Sequence, residues 1–286
     1  MTTTPRKFLP TQVGEPTLYR FARSVRSVMG YFKLSLLPPQ CVCCGKTFLA
    51  HRSPGLKPKL KCDEAKLQES LCVYCLQGLQ RYRRVACKTC GLGLGPRLQQ
   101  FGWTHCRHCR QAEDLQLKTW VCADYEPPFD QWISSLKYGG AYEIAPFLAA
   151  WMSLRMRGPN GIQAHGLPWP DVWMAVPSHA SKVKQRGYNQ AALIAKSLSG
   201  LTGIPYVKGV LIKTSETFSQ AELSREQRML NLASAFVCRK QVNQNWVVGL
   251  VDDVMTTGST LDLCTEALLK AGAKDVIRFA VCRTPE

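Results

Sequence analysis

Apolar and polar residues are patterned in two ways along this chain. From about residue 172 onward, short apolar runs alternate with segments of helical period. Residues 172–176, 206–212, 246–251 and 276–281 read as strands. Residues 190–199, 222–232 and 260–271 read as helices, the last stopped by Gly272. Such alternation predicts an α/β domain, a mainly parallel sheet with helices on both faces. Ligands of such sheets bind at the carboxyl ends of the strands. Before residue 118 the sequence is loop-rich. One exception is 17–36, where Leu18, Phe21, Val25 and Met29 share a face and Arg20, Arg23 and Arg26 lie elsewhere. This reads as a short basic amphipathic helix that could dock on DNA, on a membrane surface or, the favoured reading, on the rest of the protein, ended before Pro38-Pro39.

Composition narrows the class. Hydrophobic residues make up 45% and charged residues 20% of the 286, which excludes wholesale disorder. No apolar run approaches the roughly 18 residues of a membrane helix. Arg6 and Lys7 are followed by Thr11, Gln12, Gly14 and Glu15, so no secretory signal is expected. The net charge is +17, and it is uneven: residues 1–123 hold 20 basic and 6 acidic residues, against 17 and 14 in the rest. Eleven of the 14 cysteines also lie at or before Cys122. This shift places a boundary near 118–127. The expected units are a basic segment 1–36, a Cys-rich module 37–118 and an α/β domain 119–286.

Eight cysteines form C-x-x-C pairs: Cys41/Cys44, Cys72/Cys75, Cys87/Cys90 and Cys106/Cys109. Each pair presents two thiolates from one turn, and two pairs close a tetrahedral zinc site. Four pairs allow two structural Zn²⁺ sites, sequential or interleaved. Cys43, His105 and His108 are alternative ligands, and Gly45 and Gly91 suit tight metal-binding turns. A redox pair would open a helix after a strand; these pairs lie in loop-rich sequence, and their abundance predicts a reducing, cytoplasmic setting. Two zinc–tetrathiolate sites would each carry about −2, which leaves the basic excess intact. That excess predicts a polyanionic partner, and aromatics within basic stretches, Tyr74, Tyr82, Phe101 and Trp103, suit stacking on single-stranded bases. Isolated Cys122, Cys238 and Cys282 read as packing residues.

The candidate chemistry lies in one segment. An apolar run, Val247-Val248-Gly249-Leu250-Val251, enters two carboxylates, Asp252 and Asp253. Then come Thr256, Thr257, Gly258, Ser259 and Thr260 and the start of a helix. Hydroxyls, backbone N–H groups and a helix N-terminus make a phosphate cradle. The carboxylates beside it can accept ribose hydroxyls or hold Mg²⁺. No P-loop pattern is present.

This segment resembles the phosphoribosyl pyrophosphate (PRPP) loop of the type I phosphoribosyltransferases. The resemblance implies that Asp252 and Asp253 hold the ribose and that Thr256, Thr257, Gly258, Ser259 and Thr260 hold the 5′-phosphate. Gly249 departs from the pattern, which usually has a large apolar residue there. Further stretches narrow the match to the ComF/GntX branch: Leu136-Lys137-Tyr138-Gly139-Gly140; Val176-Pro177-Ser178-His179 with Arg186-Gly187-Tyr188-Asn189-Gln190; and Gln220 to Asn231, with Arg228 before Ala235-Phe236. The resemblance covers about residues 37–286. It implies a type I phosphoribosyltransferase-like sheet preceded by a zinc module. Pro177, Ser178 and His179 would form the pyrophosphate loop after the first strand, with Lys184 and Arg186 near enough to meet diphosphate. Residues 214–228 would form a mobile loop over the site. The superfamily's purine-recognition hood has no recognisable counterpart.

The branch is linked to DNA uptake in natural competence, with an inferred cytoplasmic role in handling single-stranded DNA. Its GntX members are associated with carbon-source use, and no transferase substrate is established for it. The resemblance therefore implies a DNA-processing protein that binds single-stranded DNA and PRPP, a related phosphorylated sugar or a 5′-phosphate, with competence-machinery proteins as partners. The alternatives are a Mg²⁺-dependent phosphoribosyltransferase of unknown acceptor and a non-catalytic PRPP sensor.

Overall fold

The sheet of the computed structural model has four parallel strands in the order β1 (Thr119–Asp124), β6 (Asp275–Arg283), β5 (Val247–Met255) and β2 (Val172–Ala175). An antiparallel ribbon of β3 (Leu211–Lys213) and β4 (Phe236–Cys238) lies beside it. The structure describes residues 39–48, 62–80, 82, 84–112, 117–214 and 235–285. The expected helices at 17–36 and 222–232, the 220–231 motif, residues 215–228 of the covering loop, and Arg81 and Arg83 lie outside those residues.

The pleat sends alternate side chains to opposite faces, and each face has its own core. Trp120, Cys122, Trp173, Val251, Ile277 and Phe279 meet α5 (Phe129–Tyr138), α6 (Ile144–Arg157) and α8 (Gln190–Thr202). Val121, Val248, Leu250, Val276 and Ala280 meet α9 (Ser259–Lys270) and the ribbon. The sheet is therefore mainly parallel and covered by helices on both sides, as the pattern predicts. Cys122, Cys264 and Cys282 are packed within these cores, and half-buried Cys238 donates from Sγ to the Ala267 carbonyl at 3.5 Å.

The pattern differs from the fold in three places. The first strand of the sheet is β1, not 172–176; its apolar run sits at the compositional boundary. α6 has ten of its 14 residues buried, so it carries no polar stripe by which a helix is recognised. The 206–212 run is split: Tyr206 pairs with Trp173, and β3 begins only at Leu211, because Gly209 turns the chain at φ +75°.

Gly249 has a packing reason. It lies opposite Trp173 across the β5–β2 pair, and a Cβ there would come within 2.5 Å of the Trp173 ring and 2.9 Å of Pro170. The indole, fully buried, fills the space that a large residue would take. Gly249→Val will therefore destabilise by about 1–3 kcal/mol through overpacking. Thermal denaturation will show this as a fall of about 2–4 °C per kcal/mol, and an unchanged melting point would contradict the packing account.

The Cys-rich segment is bound to this scaffold through buried polar contacts. In its α1 (Cys62–Ser70), the buried Asp63 pairs with Arg157 of α6, which also donates to Ser153 Oγ at 2.8 Å. Trp132 Nε1 donates to the Val42 carbonyl at 3.0 Å. Buried Arg84 donates to Asp124 Oδ1 (3.0 Å) and to the carbonyls of Val121 (3.1 Å) and Gly91 (2.6 Å). From Pro39 onward the described residues make one compact unit.

Candidate functional site

Because β5 and β2 are parallel neighbours, the loops that follow them emerge at the same edge. After β5 come Thr256 and Thr257, both exposed, and Gly258 at φ +93°, a left-handed conformation that glycine adopts freely. Gly258 begins α9 and has no side chain to cap it, while the Ser259 N–H of the first turn donates to Thr257 Oγ1 at 3.4 Å. Exposed Ser259 and Thr260 follow, and Thr257 Oγ1 lies 2.9 Å from Ser259 Oγ.

The two carboxylates are consecutive on a strand and so take opposite faces. Asp253, buried, is paired with Lys137 of α5, Nζ to Oδ2 at 3.0 Å. Asp252 is half-buried on the α9 side, and its carboxyl is raised well above the usual carboxylate range by burial and by the charge of Asp253. It can therefore hold a proton where Asp253 is held by a cation.

The segment after β2 is tied to the end of α5. Pro177, Ser178 and His179 are half-buried, and His179 caps α7 (Ala180–Arg186), its Nδ1 accepting the Ser181 N–H at 3.3 Å. Lys184 is exposed. Arg186 lies over the Tyr138 ring, 5.3 Å from guanidinium to centroid. Tyr188 donates its hydroxyl proton to the Leu136 carbonyl at 2.7 Å, and Asn189 Nδ2 donates to Val176 O at 2.9 Å. Three motifs distant in sequence thus share one sheet edge. The Lys137–Asp253 pair was not legible beforehand. The Lys137 motif stood out in the sequence, but no spacing ties residue 137 to residue 253.

The eight paired cysteines form two tetrads, Cys41/Cys44/Cys72/Cys75 and Cys87/Cys90/Cys106/Cys109, with the four sulfurs of each within 4.8 Å of one another. The pairing is sequential, and Cys43, His105 and His108 stand outside both groups. The tetrads are built alike. The first pair of each lies in a turn where Gly45 (φ +69°) or Gly91 (φ +71°) donates back to the carbonyl of Cys41 or Cys87. The second pair opens a helix, α2 (Val73–Gln80) in one and α4 (Arg107–Gln111) in the other. That corrects the reading of all four pairs as loop residues: short helices of low amphipathicity leave little trace in a sequence.

Cys44 Sγ to Cys72 Sγ and Cys90 Sγ to Cys106 Sγ are both 3.8 Å. Sulfurs bound tetrahedrally at about 2.3 Å would be roughly 3.8 Å apart, so the donor set fits a thiolate-bound metal ion. Without a cation the thiols share protons unequally. The Cys90 thiol holds Cys87 down to about 4, and the same bond pushes Cys90 up. A dication would let all four ionise together. The second tetrad is buttressed by the sheet: Arg283 donates to the Cys90 carbonyl and contacts Met255 Sδ at 3.8 Å, just before the Thr256 loop.

The same tetrad carries an aromatic and basic surface. Between its two halves runs α3 (Pro96–Gln100), followed by Phe101 and Trp103 with ring centroids 5.8 Å apart. Phe101 is 73% exposed, and the Arg110 guanidinium covers Trp103 at 3.4 Å. Arg97, Arg107 and Lys88 are exposed nearby in sequence, as is Tyr74 on α2. Tyr82 is different. Its ring packs on Phe129 at 5.5 Å and its hydroxyl accepts the Asp124 N–H, so burial pushes its pKa up to about 12 and it is not a stacking surface.

Fold and site together define an α/β protein with a Thr-Thr-Gly-Ser-Thr turn opening α9 at the sheet edge and two tetracysteine clusters. No family model matches the chain. It is 31% identical over 232 residues to the DNA utilization protein YhgH of Salmonella typhi, covering 81% of this chain and 98% of that one. It is 29% identical to competence protein F of Haemophilus influenzae over 74% of this chain and 96% of that one. Competence protein ComFC of Streptococcus pneumoniae matches at 22%, over 85% of this chain and all of the other. The chain belongs to the competence protein F and YhgH family.

Among solved structures it is similar to phosphoribosyltransferases. The purine phosphoribosyltransferase of Pyrococcus horikoshii matches at 20% identity and TM-score 0.29, over 50% of this chain and 82% of that one. The glutamine PRPP amidotransferase of B. subtilis matches at 20% and TM-score 0.34, over 48% and 26%. Scores this low leave the account of the fold to its own geometry. Among the described residues no helix is long and apolar enough to cross a membrane.

Proposed function

We propose that this chain is a cytoplasmic, competence-type DNA-processing protein that binds single-stranded DNA on its Cys-rich surface and PRPP or a 5′-phosphate in the cleft. The observation that carries the reading is the convergence at one sheet edge of Lys137–Asp253, Asp252 and the Gly258 turn that opens α9. In this reading Thr256, Thr257, Gly258, Ser259 and Thr260 hold phosphate, Asp252 and Asp253 hold ribose hydroxyls with Mg²⁺, and Pro177, Ser178 and His179 border the diphosphate. Lys184 and Arg186 supply positive charge beside it. Each tetracysteine cluster holds one structural Zn²⁺. The relatives' names supply the context of competence and DNA utilization, and competence-machinery proteins are the expected partners.

Phe101, Trp103 and the surrounding arginines favour single strands, whose unpaired bases can stack on exposed rings. Four phosphate contacts would make oligothymidine affinity fall about fiftyfold between roughly 50 and 200 mM salt, as counterions are released. Phe101→Ala with Trp103→Ala will weaken binding about tenfold or more at fixed salt. Fluorescence anisotropy measures both. A flat salt response, or a double variant with unchanged affinity, would remove the Cys-rich surface from the account.

A working transferase of unknown acceptor is the second reading. Asp252 favours it, because a carboxyl with a raised proton affinity beside the ribose site can exchange a proton with a reacting group. Release of pyrophosphate from Mg²⁺-PRPP in the presence of candidate amines would establish it.

A further inference from the structure

The end of α5 presents an aromatic ring that the fold does not need. Tyr138 is 77% exposed, so burial gains it little. Yet its backbone is fixed on both sides. The hydroxyl of Tyr188 holds the Leu136 carbonyl at 2.7 Å, and the N–H of Gly139 closes the helix on Ser135 O at 2.9 Å. One face of the ring lies under the Arg186 guanidinium at 5.3 Å. The residue before it, Lys137, reaches the Asp253 carboxylate at 3.0 Å. A largely exposed ring on a fixed backbone, with a cation over it, thus stands one residue from the lysine that holds the Asp253 carboxylate.

We infer that Tyr138 is the platform on which a nucleobase stacks, and that the cleft takes a nucleoside 5′-phosphate rather than a bare sugar phosphate. This rests on the cleft reading above and adds the third part of the ligand: phosphate at Gly258, ribose at the aspartates, base at Tyr138. Aromatic–base stacking needs only a π-face, so the platform is tolerant of base identity. In this arrangement Arg186 braces the ring and strengthens it as a cation–π partner. The nucleoside 5′-phosphate can be a free nucleotide or the 5′-phosphorylated end of a single strand; the chemistry of recognition is shared.

The test is calorimetric titration of the zinc-loaded full chain with adenosine 5′-monophosphate, thymidine 5′-monophosphate and ribose 5-phosphate. Both nucleotides should bind about tenfold or more tighter than the sugar phosphate. Tyr138→Ala should bring them down to its level and leave ribose 5-phosphate unchanged, while Tyr138→Phe should keep the preference. Equal affinities in the wild-type protein, or an equal loss of all three ligands in Tyr138→Ala, would overturn the platform alone. Failure of all three to bind the wild-type protein would remove the cleft reading and the platform with it. A 5′-phosphorylated tetranucleotide, compared with its 5′-hydroxyl twin, then identifies the source. A Tyr138-dependent gain from the phosphate supports the strand end as occupant, and no gain supports the free nucleotide.

Discussion

Exchanging Cys87 and Cys90 for serine will unfold the second tetracysteine turn and sharply lower the melting temperature of the whole unit. A structural zinc site contributes about 10–16 kcal/mol in small metal-folded domains, and a typical domain has only about 5–15 kcal/mol in total. Here the cluster is joined to the sheet by buried cations. Arg283 donates to the Cys90 carbonyl and Arg84 to the Gly91 carbonyl. The loop also lies close on β1, since a Cβ at Gly91 would come within 2.5 Å of Val121 Cγ2. If the turn opens, Arg283 loses the Cys90 carbonyl and Arg84 the Gly91 carbonyl, although Arg84 keeps Asp124, and each buried donor left unpaired costs about 1–3 kcal/mol more. Elemental analysis should find two zinc ions per chain in the wild-type protein and one in the variant. A variant with the same zinc content and melting point would show that the second tetrad does not hold metal.

The second large effect is on ligand binding. Asp252→Asn with Asp253→Asn will weaken Mg²⁺-PRPP binding about tenfold or more, because a hydrogen bond to the charged Asp253 carboxylate alone contributes about 1.5–3 kcal/mol. The fold should survive. The Lys137–Asp253 pair is partly exposed, with side chains 25% and 11% accessible, and amide groups can still bond to lysine. Asp252 already resists ionisation, so its amide replacement removes little native electrostatic support. Circular dichroism confirms the fold, and calorimetry the loss. Unchanged affinity in a folded variant would move the ribose site elsewhere.

These two effects rest on residues that the sequence exposes to different degrees. The cysteine spacings alone specify the eight cysteines that cluster, because C-x-x-C geometry is local. Which pair meets which depends on how α1 and α3 fold the chain back, and spacing does not record that. The strand–cradle–helix segment around Asp252 was legible because its order of residue types reflects local backbone geometry. Lys137, by contrast, meets Asp253 across 116 positions through the packing of α5 on the sheet. α6 was hidden because a helix buried on nearly every side shows no polar stripe. Gly249 looked like an irregularity until Trp173 was seen to occupy the space beside it.

The central claim is that the edge formed by β2, β5 and α9 binds a ribose phosphate. Phosphorus NMR of PRPP with Mg²⁺, with and without the protein, tests it most directly. The account predicts that the 5′-phosphate resonance shifts and broadens on adding wild-type protein and stays in place with the Asp252→Asn/Asp253→Asn variant. A spectrum that is the same with wild-type protein and with buffer would contradict it.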